Sequence, residues 1–352
     1  MTPVPLSPRR VTRNARLLPA LALVLATTAL TGCSALSRDD TNQGGSTDGT
    51  SAVDAYGGNP FAARGQTLVG SPRLPAAARQ ATADGRDDDA ARLERLAEVP
   101  TGIWLTPEKY PAGEVGPYVS AVVAGTEGRT VPVFVVYGFP DRDCTGGFSA
   151  GGLDADSYLP WVDEIAAAAG SGSATVLEPD ALASTDSCGG EDRLDLLASA
   201  VDSLDAAGVT TYVDAGHSHW VDAQRTAELL ERVGVEDVRG FSTNVANYQP
   251  LDAEQQWAAR VSDLVGGAHY VIDTSRDGDP VDGTVGQPVD DWCNPPDRSL
   301  GETPGFVDDG PALDALLWVK PPAESDGTCH GGPPAGDVWI DRALALATAA
   351  GW

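Results

Sequence analysis

The chain has 352 residues and carries 51 acidic against 23 basic side chains, a formal charge of −28. Such a balance repels nucleic acid and anionic membrane surfaces, and no Lys/Arg cluster beyond the N-terminus offers a polyanionic substrate a foothold. What the charge leaves is a neutral substrate and no nucleic-acid partner.

The N-terminus is not fold. Arg9, Arg10, Arg13 and Arg16 precede an apolar run over 17–30, which ends in Leu30-Thr31-Gly32-Cys33. Residues 1–32 have the length and polarity of a secretory signal. Their ending resembles a bacterial lipobox, which makes Cys33 the expected lipidation site. The protein is then exported, either held on the outer face of the cell membrane by that N-terminal lipid alone or secreted. Loss of 1–32 removes four arginines and no acid, leaving 19 basic and 51 acidic residues and a net charge of −32. Residues 33–56, rich in Ser, Gly, Thr and Asp, read as a flexible tether. Residues 57–352 are uniform in composition and suit one α/β domain, expected to be a monomer.

Within that domain short apolar runs predict strands at 102–105, 131–137, 174–178, 210–214, 240–244, 270–274 and 315–320. Between them, 154–169 starts on aspartates that can cap a helix, while 193–208 and 222–234 each end on a glycine. Strand–helix alternation predicts a parallel sheet covered by helices. A closed barrel is favoured over an open sheet, and periodicity alone does not separate them. Trp161 and Trp257 fall in helix-like segments and are expected in the core.

Polar residues gather where the strands end. Tyr137 precedes Asp141-Arg142-Asp143, Glu178 precedes Asp180, and Asp214 precedes His217. Asn244 is followed by Asn247, Asp273 by Arg276, and Lys320 by Glu324 and Asp326. Parallel barrels bring their C-terminal strand ends to one mouth. A mouth holding Asp143, Glu178, Asp180, Asp214, Asp273, Glu324 and Asp326 would raise the pKa of some member, because neighbouring negative charge disfavours ionisation. One protonated carboxyl beside ionised ones is what glycosidic cleavage requires. Trp104, Tyr137, Trp220, Trp292 and Trp318 lie close by in sequence, and their faces suit the C–H faces of neutral sugars. The chain has only two lysines, Lys109 and Lys320, against 21 arginines. A strand-tip lysine in such a chain suggests a role arginine could not fill. Four cysteines remain after Cys33: Cys144, Cys188, Cys293 and Cys329. In an exported chain they read as two disulfides, sequential pairing being the natural one, each worth roughly 4 kcal/mol by loop closure.

The segments "VVYGFPDRDC", "TVLEPDALA", "YVDAGHSHW", "GFSTNVANYQ", "YVIDTSRDG", "DDWCNPPDRSLG" and "LWVKPPAESDGTC", in this order, resemble glycoside hydrolase family 6, the inverting cellulases. The resemblance implies a distorted, incomplete TIM-like β/α barrel of about seven strands, and no cofactor or metal. By the same resemblance Asp180 is the general acid and Asp143 the second aspartate at the cleavage point. Ser149 holds the attacking water, Tyr137 crowds the −1 sugar, and Asp326 is the proposed base, in competition with a water relay through Asp143. Trp104, Trp220 and Trp292 match sugar-stacking positions. Asp214, His217, Asn247, Lys320 and Glu324 match substrate-contact or site-shaping ones. The family's pairing joins Cys144 to Cys188 and Cys293 to Cys329. His219 departs from the pattern, where a smaller residue is commoner.

Chains of this family that attack polymer ends roof the cleft with long loops. Here the stretches from Arg276 to Trp292 and from Lys320 to Cys329 are short, which predicts an open cleft and internal cleavage of a β-glucan polysaccharide or oligosaccharide. The alternatives are an exo-acting cellobiohydrolase of the same family and a non-catalytic glucan-binding lipoprotein. A zinc hydrolase built on His217, His219, His269 and Asp273 is a weaker one.

Overall fold

The computed structural model describes residues 58–144, 146–278, 292–310 and 312–352. They belong to one compact unit, Thr50–Trp352. The signal segment 1–32, Cys33, the tether 33–56 and most of the stretch between Arg276 and Trp292 lie outside the described residues. None of the described helices is long and apolar enough to cross a membrane.

Seven strands form one sheet, paired in sequence order and parallel throughout: β1 Ile103–Leu105, β2 Val133–Val136, β3 Ala174–Leu177, β4 Thr210–Asp214, β5 Gly240–Thr243, β6 His269–Asp273 and β7 Leu313–Leu317. The sheet curls into a barrel that is not closed by pairing between β1 and β7. A single backbone bond, Gly102 N–H to Trp318 O at 2.7 Å, bridges that seam. A Cβ at Gly102 would stand 2.3 Å from the Val319 carbonyl, so the approach requires glycine.

Alternation along the strands divides the core. Phe134, Val136, Leu177, Val213, Phe241 and Ile272 point outward against the helices, while Val133, Val135, Val176, Tyr212, Val271 and Leu317 fill the barrel. The outer layer is α3 Val115–Thr126, α4 Ala155–Ala169, α5 Gly190–Ala206, α6 Ala223–Arg232 and α7 Leu251–Leu264. Asp154 and Asp222 cap α4 and α6 by accepting from the amides of Ser157 and Arg225. A separate cluster joins α1 Arg73–Ala83 and α2 Asp87–Ala97 to the C-terminal α8 Ile340–Ala349 through Leu74, Leu93, Leu96, Trp318 and Leu346. Trp161 is fully buried, and Trp257 packs half-buried against the main core.

The predicted seventh strand, 315–320, sits two to three residues early. Val319 and Lys320 leave the ladder because their amides donate to the Asp273 carboxylate instead, at 3.2 and 3.0 Å. The disulfides pair sequentially, Cys144–Cys188 and Cys293–Cys329, closing loops of 44 and 36 residues.

Candidate active site

The chain leaves β3 in a constrained turn at the C-terminal edge of the sheet. Glu178 and Asp180 both adopt left-handed backbone, φ 49° and 70°, a region that costs energy for residues with a Cβ. Two buried carboxylates hold the turn. Glu178 accepts from the amides of Gly138 (3.0 and 3.1 Å) and Phe139 (3.1 Å). Asp214 accepts the Asp180 amide at 3.0 Å, the Gly216 amide at 3.0 Å and the Ser242 hydroxyl at 3.3 Å. The Asp180 carboxyl is thereby left to face the cleft.

That cleft has a volume of about 280 Å3. Its walls gather Tyr137, Asp143, Ser149, Asp180 and Asp326 with Trp104, His217, Trp220, Asn247, Trp292 and Lys320. Pro179, Val245, Ala246 and Ala335 complete it. Two of the residues expected at the site lie elsewhere. Asp214 is buried beneath Asp180, where it can position but not touch a ligand. Glu324 lines an adjoining groove. The expectation of seven acids in one mouth is therefore corrected. Glu178, Asp214 and Asp273 turn under and bind backbone, Asp273 taking amides from Ala246, Ser275, Val319 and Lys320. A buried carboxylate is tolerable only with such partners, and these three tie neighbouring strand ends together.

Among the acids that do face the cleft, Asp180 is pushed up to about 7, by burial first and then by the negative charges of Asp143 and Asp326, with Arg193 opposing. Asp143, at φ 52°, accepts the Ser149 amide at 2.7 Å and the Ser149 hydroxyl at 3.0 Å, and that hydroxyl lies 2.9 Å from the Tyr137 hydroxyl. A chain of hydroxyls thus ends on one carboxylate. Arg142 fixes its backbone by donating to the carbonyls of Tyr137 (2.8 Å) and Ser149 (3.0 Å). Gly146 gives its amide to Asp143, and a Cβ there would meet Asp143 Oδ1 at 2.4 Å and Trp292 at 2.6 Å.

Asp326 behaves oppositely to Asp180. Burial disfavours its charge, yet Arg276, Lys320 and the Asn294 amide outweigh burial and hold it below the ordinary carboxylate range. Arg276 reaches both its oxygens (2.8 and 2.9 Å), while the Tyr248 hydroxyl (2.9 Å) and the Asn294 amide (3.0 Å) take Oδ2. Lys320 Nζ stands 3.8 Å away. Arg276, Tyr248 and Asn294 were not singled out as site residues. Arg276 directly follows a strand tip, but nothing in the sequence joins the three to Asp326.

The aromatic walls are held apart. Trp104 donates to the Val319 carbonyl at 2.9 Å, meets the Tyr137 ring edge-on at 5.1 Å and carries Lys320 Nζ 5.3 Å from its centroid. Trp220, 37% exposed, tilts over His217 at 5.6 Å, and Trp292 packs against Phe148 at 5.7 Å. Asn247 steadies its own turn by donating to the Val245 carbonyl. His217 is pushed down to about 4 by burial and by His219, so it is neutral at physiological pH. His219 itself is exposed, with Nδ1 bonded to the Ser218 hydroxyl at 2.8 Å. Among the described residues no group of three His, Cys, Asp or Glu side chains has the arrangement of a metal site.

This arrangement offers a proton from a carboxyl raised to about 7, a second carboxyl joined to a hydroxyl relay, and flat apolar faces on both sides. Comparison with known proteins agrees with it. The family model described as glycosyl hydrolases family 6 matches residues 63–350. Endoglucanase A of Cellulomonas fimi is 41% identical over 268 residues, 75% of this chain and 57% of that protein. Endoglucanase A of Thermobispora bispora is 38% identical over 268 residues, 72% of this chain and 56% of that protein. The chain thus spans little more than half the length of each. The endoglucanase Cel6 of Mycobacterium tuberculosis, solved with methyl-cellobiosyl-4-deoxy-4-thio-β-D-cellobioside, superposes with a TM-score of 0.76 and 38% identity, covering 84% of this chain and 100% of that one.

Proposed function

Because the chain belongs to glycosyl hydrolase family 6, we propose that it is an inverting, endo-acting β-1,4-glucanase that cuts internal bonds of cellulose-type or mixed-linkage β-glucans. The observation that carries the reading is Asp180, a carboxyl raised to about 7 in a tryptophan-flanked cleft, beside an Asp143 that is joined to a serine hydroxyl. The names of the two bacterial endoglucanases and of the mycobacterial enzyme support the substrate class.

In this mechanism Asp180 gives its proton to the glycosidic oxygen as the C1–O bond breaks. Positive charge builds on the −1 sugar, and the carboxylates of Asp143 and Asp326 stabilise it. A water held by Ser149 attacks C1 from the opposite face, which inverts the anomeric centre. Its proton passes through the Ser149 hydroxyl to Asp143 and on to solvent, and solvent returns a proton to Asp180 for the next turnover. Tyr137 crowds the −1 ring toward its distorted shape. Asp326, saturated by Arg276, Tyr248 and Asn294, is a poor base, and its low pKa favours the relay through Asp143 over direct abstraction. Trp104 stacks a glycone sugar, Trp220 and Trp292 stack leaving-group sugars, and Lys320, Glu324, His217 and Asn247 meet hydroxyls.

The reading includes an exported monomer anchored through lipid on Cys33, and two disulfides in the described domain fit an oxidising compartment. Product analysis tests the function. The protein should lower carboxymethylcellulose viscosity early relative to reducing ends formed, with NMR showing the α-anomer first. Release of cellobiose alone with little viscosity loss would make it exo-acting. No hydrolysis of any β-glucan would leave a binding protein.

A further inference from the structure

Beyond Trp104 the cleft opens into a groove of about 870 Å3, about three times its own volume, sharing Trp104, Tyr137, Ser149, Lys320 and Ala335 as walls. The chain's two lysines both line this groove. Each lies over an aromatic ring: Lys320 Nζ is 5.3 Å from the Trp104 centroid, and Lys109 Nζ is 5.1 Å from that of Tyr110. Glu324 lies within the electrostatic reach of both, and among the described residues its carboxylate forms no salt bridge with either. Burial raises its pKa, and the ammoniums of Lys320 and Lys109 oppose the rise.

We propose that this groove binds further glucosyl units of the same glucan chain, beyond the one stacked on Trp104, with Lys109 and Tyr110 forming a second lysine-over-aromatic unit in the same groove as the first. The proposal rests on the glucanase reading above and extends its binding surface. An ammonium has three donors that rotate to meet sp3 hydroxyls, whereas the flat guanidinium fork suits carboxylates. That difference accounts for lysine at these two positions in a chain that uses arginine elsewhere. Val69, Pro72 and Pro321 add apolar wall for the C–H faces of the sugars. Lys109 is exposed and makes no ion pair among the described residues, so its ammonium is available to a ligand.

The test is chain-length dependence. Wild-type protein and Lys109→Ala are compared for kcat/KM on cellotetraose and cellohexaose. Loss of one charged donor to a sugar hydroxyl should lower the cellohexaose value about tenfold and leave cellotetraose unchanged. Calorimetric titration of Asp180→Ala, with and without Lys109→Ala, should show the same selective weakening for cellohexaose. Equal effects on both sugars, or none on either, overturn the proposal. If the wild type cleaves neither sugar, the glucanase reading falls, while the titration still decides whether the groove holds the longer chain.

Discussion

Replacing Asp180 by Asn should make the protein more stable as well as inactive, and the gain should depend on pH. The carboxyl stands at about 7 in the folded protein against an ordinary 3.8, through burial and the charges of Asp143 and Asp326. A folded-state pKa above the unfolded one means that folding is unpenalised below about pH 4. It loses free energy as pH rises toward 7, because the unfolded chain can ionise this group and the folded chain resists doing so. The displacement of about three units corresponds to about 4 kcal/mol in full. Hydration within the cleft and residual denatured-state structure bring the expected gain to about 1–3 kcal/mol at pH 8. Asparagine keeps the shape and cannot ionise. Urea unfolding of wild type and Asp180→Asn at pH 4 and pH 8 measures the difference: near zero at pH 4, in favour of the variant at pH 8. In the same wild-type protein kcat/KM should fall about tenfold per pH unit above about 7, as the acid loses its proton. A variant no more stable than wild type at pH 8, or one whose advantage grows toward acid, would refute the reasoning.

Three further outcomes follow from the same geometry. Asp143→Asn removes a charge that raises Asp180, so the alkaline limb of any residual kcat/KM should move to lower pH, with kcat reduced at least about 100-fold by loss of the relay. Arg276→Met leaves Asp326 buried without its main partner and should cost about 3–5 kcal/mol in chemical denaturation, whereas Arg276→Lys should recover part of it. Trp220→Ala removes a 37%-exposed ring and should raise KM several-fold on soluble glucan while stability stays within about 0.5 kcal/mol.

The strands were legible because each is a short apolar run closed by a polar tip, and a barrel wall buried on both faces demands that composition. The end of β7 was not, since Val319 and Lys320 read as strand while their amides are claimed by Asp273, 46 and 47 residues away. The cleft residues themselves were legible through motifs. Their division of labour was not: Glu178 and Asp180 are two residues apart, yet one faces backbone amides and the other the cleft. Only the left-handed turn between them decides which. The clamp on Asp326 was hidden for a related reason. Arg276, Tyr248 and Asn294 stand 50, 78 and 32 residues from it, and no local pattern announces a contact made by the closing of a sheet.

The unlaced seam between β1 and β7 has a mechanical consequence. In a closed barrel the number of strands and their stagger fix the girth, so the mouth is a rigid hoop. Here the wall resembles a spring clip, whose lips are held by the Gly102–Trp318 bond and by the Trp104 indole on the Val319 carbonyl. Widening that gap would cost these two bonds and no strand ladder. Trp104 and Lys320 ride on opposite lips, so the grip on a bound chain is set by the spacing of that gap. A residue larger than glycine at 102 would prop the clip open, and its effect would reach the cleft without touching any group that handles a proton.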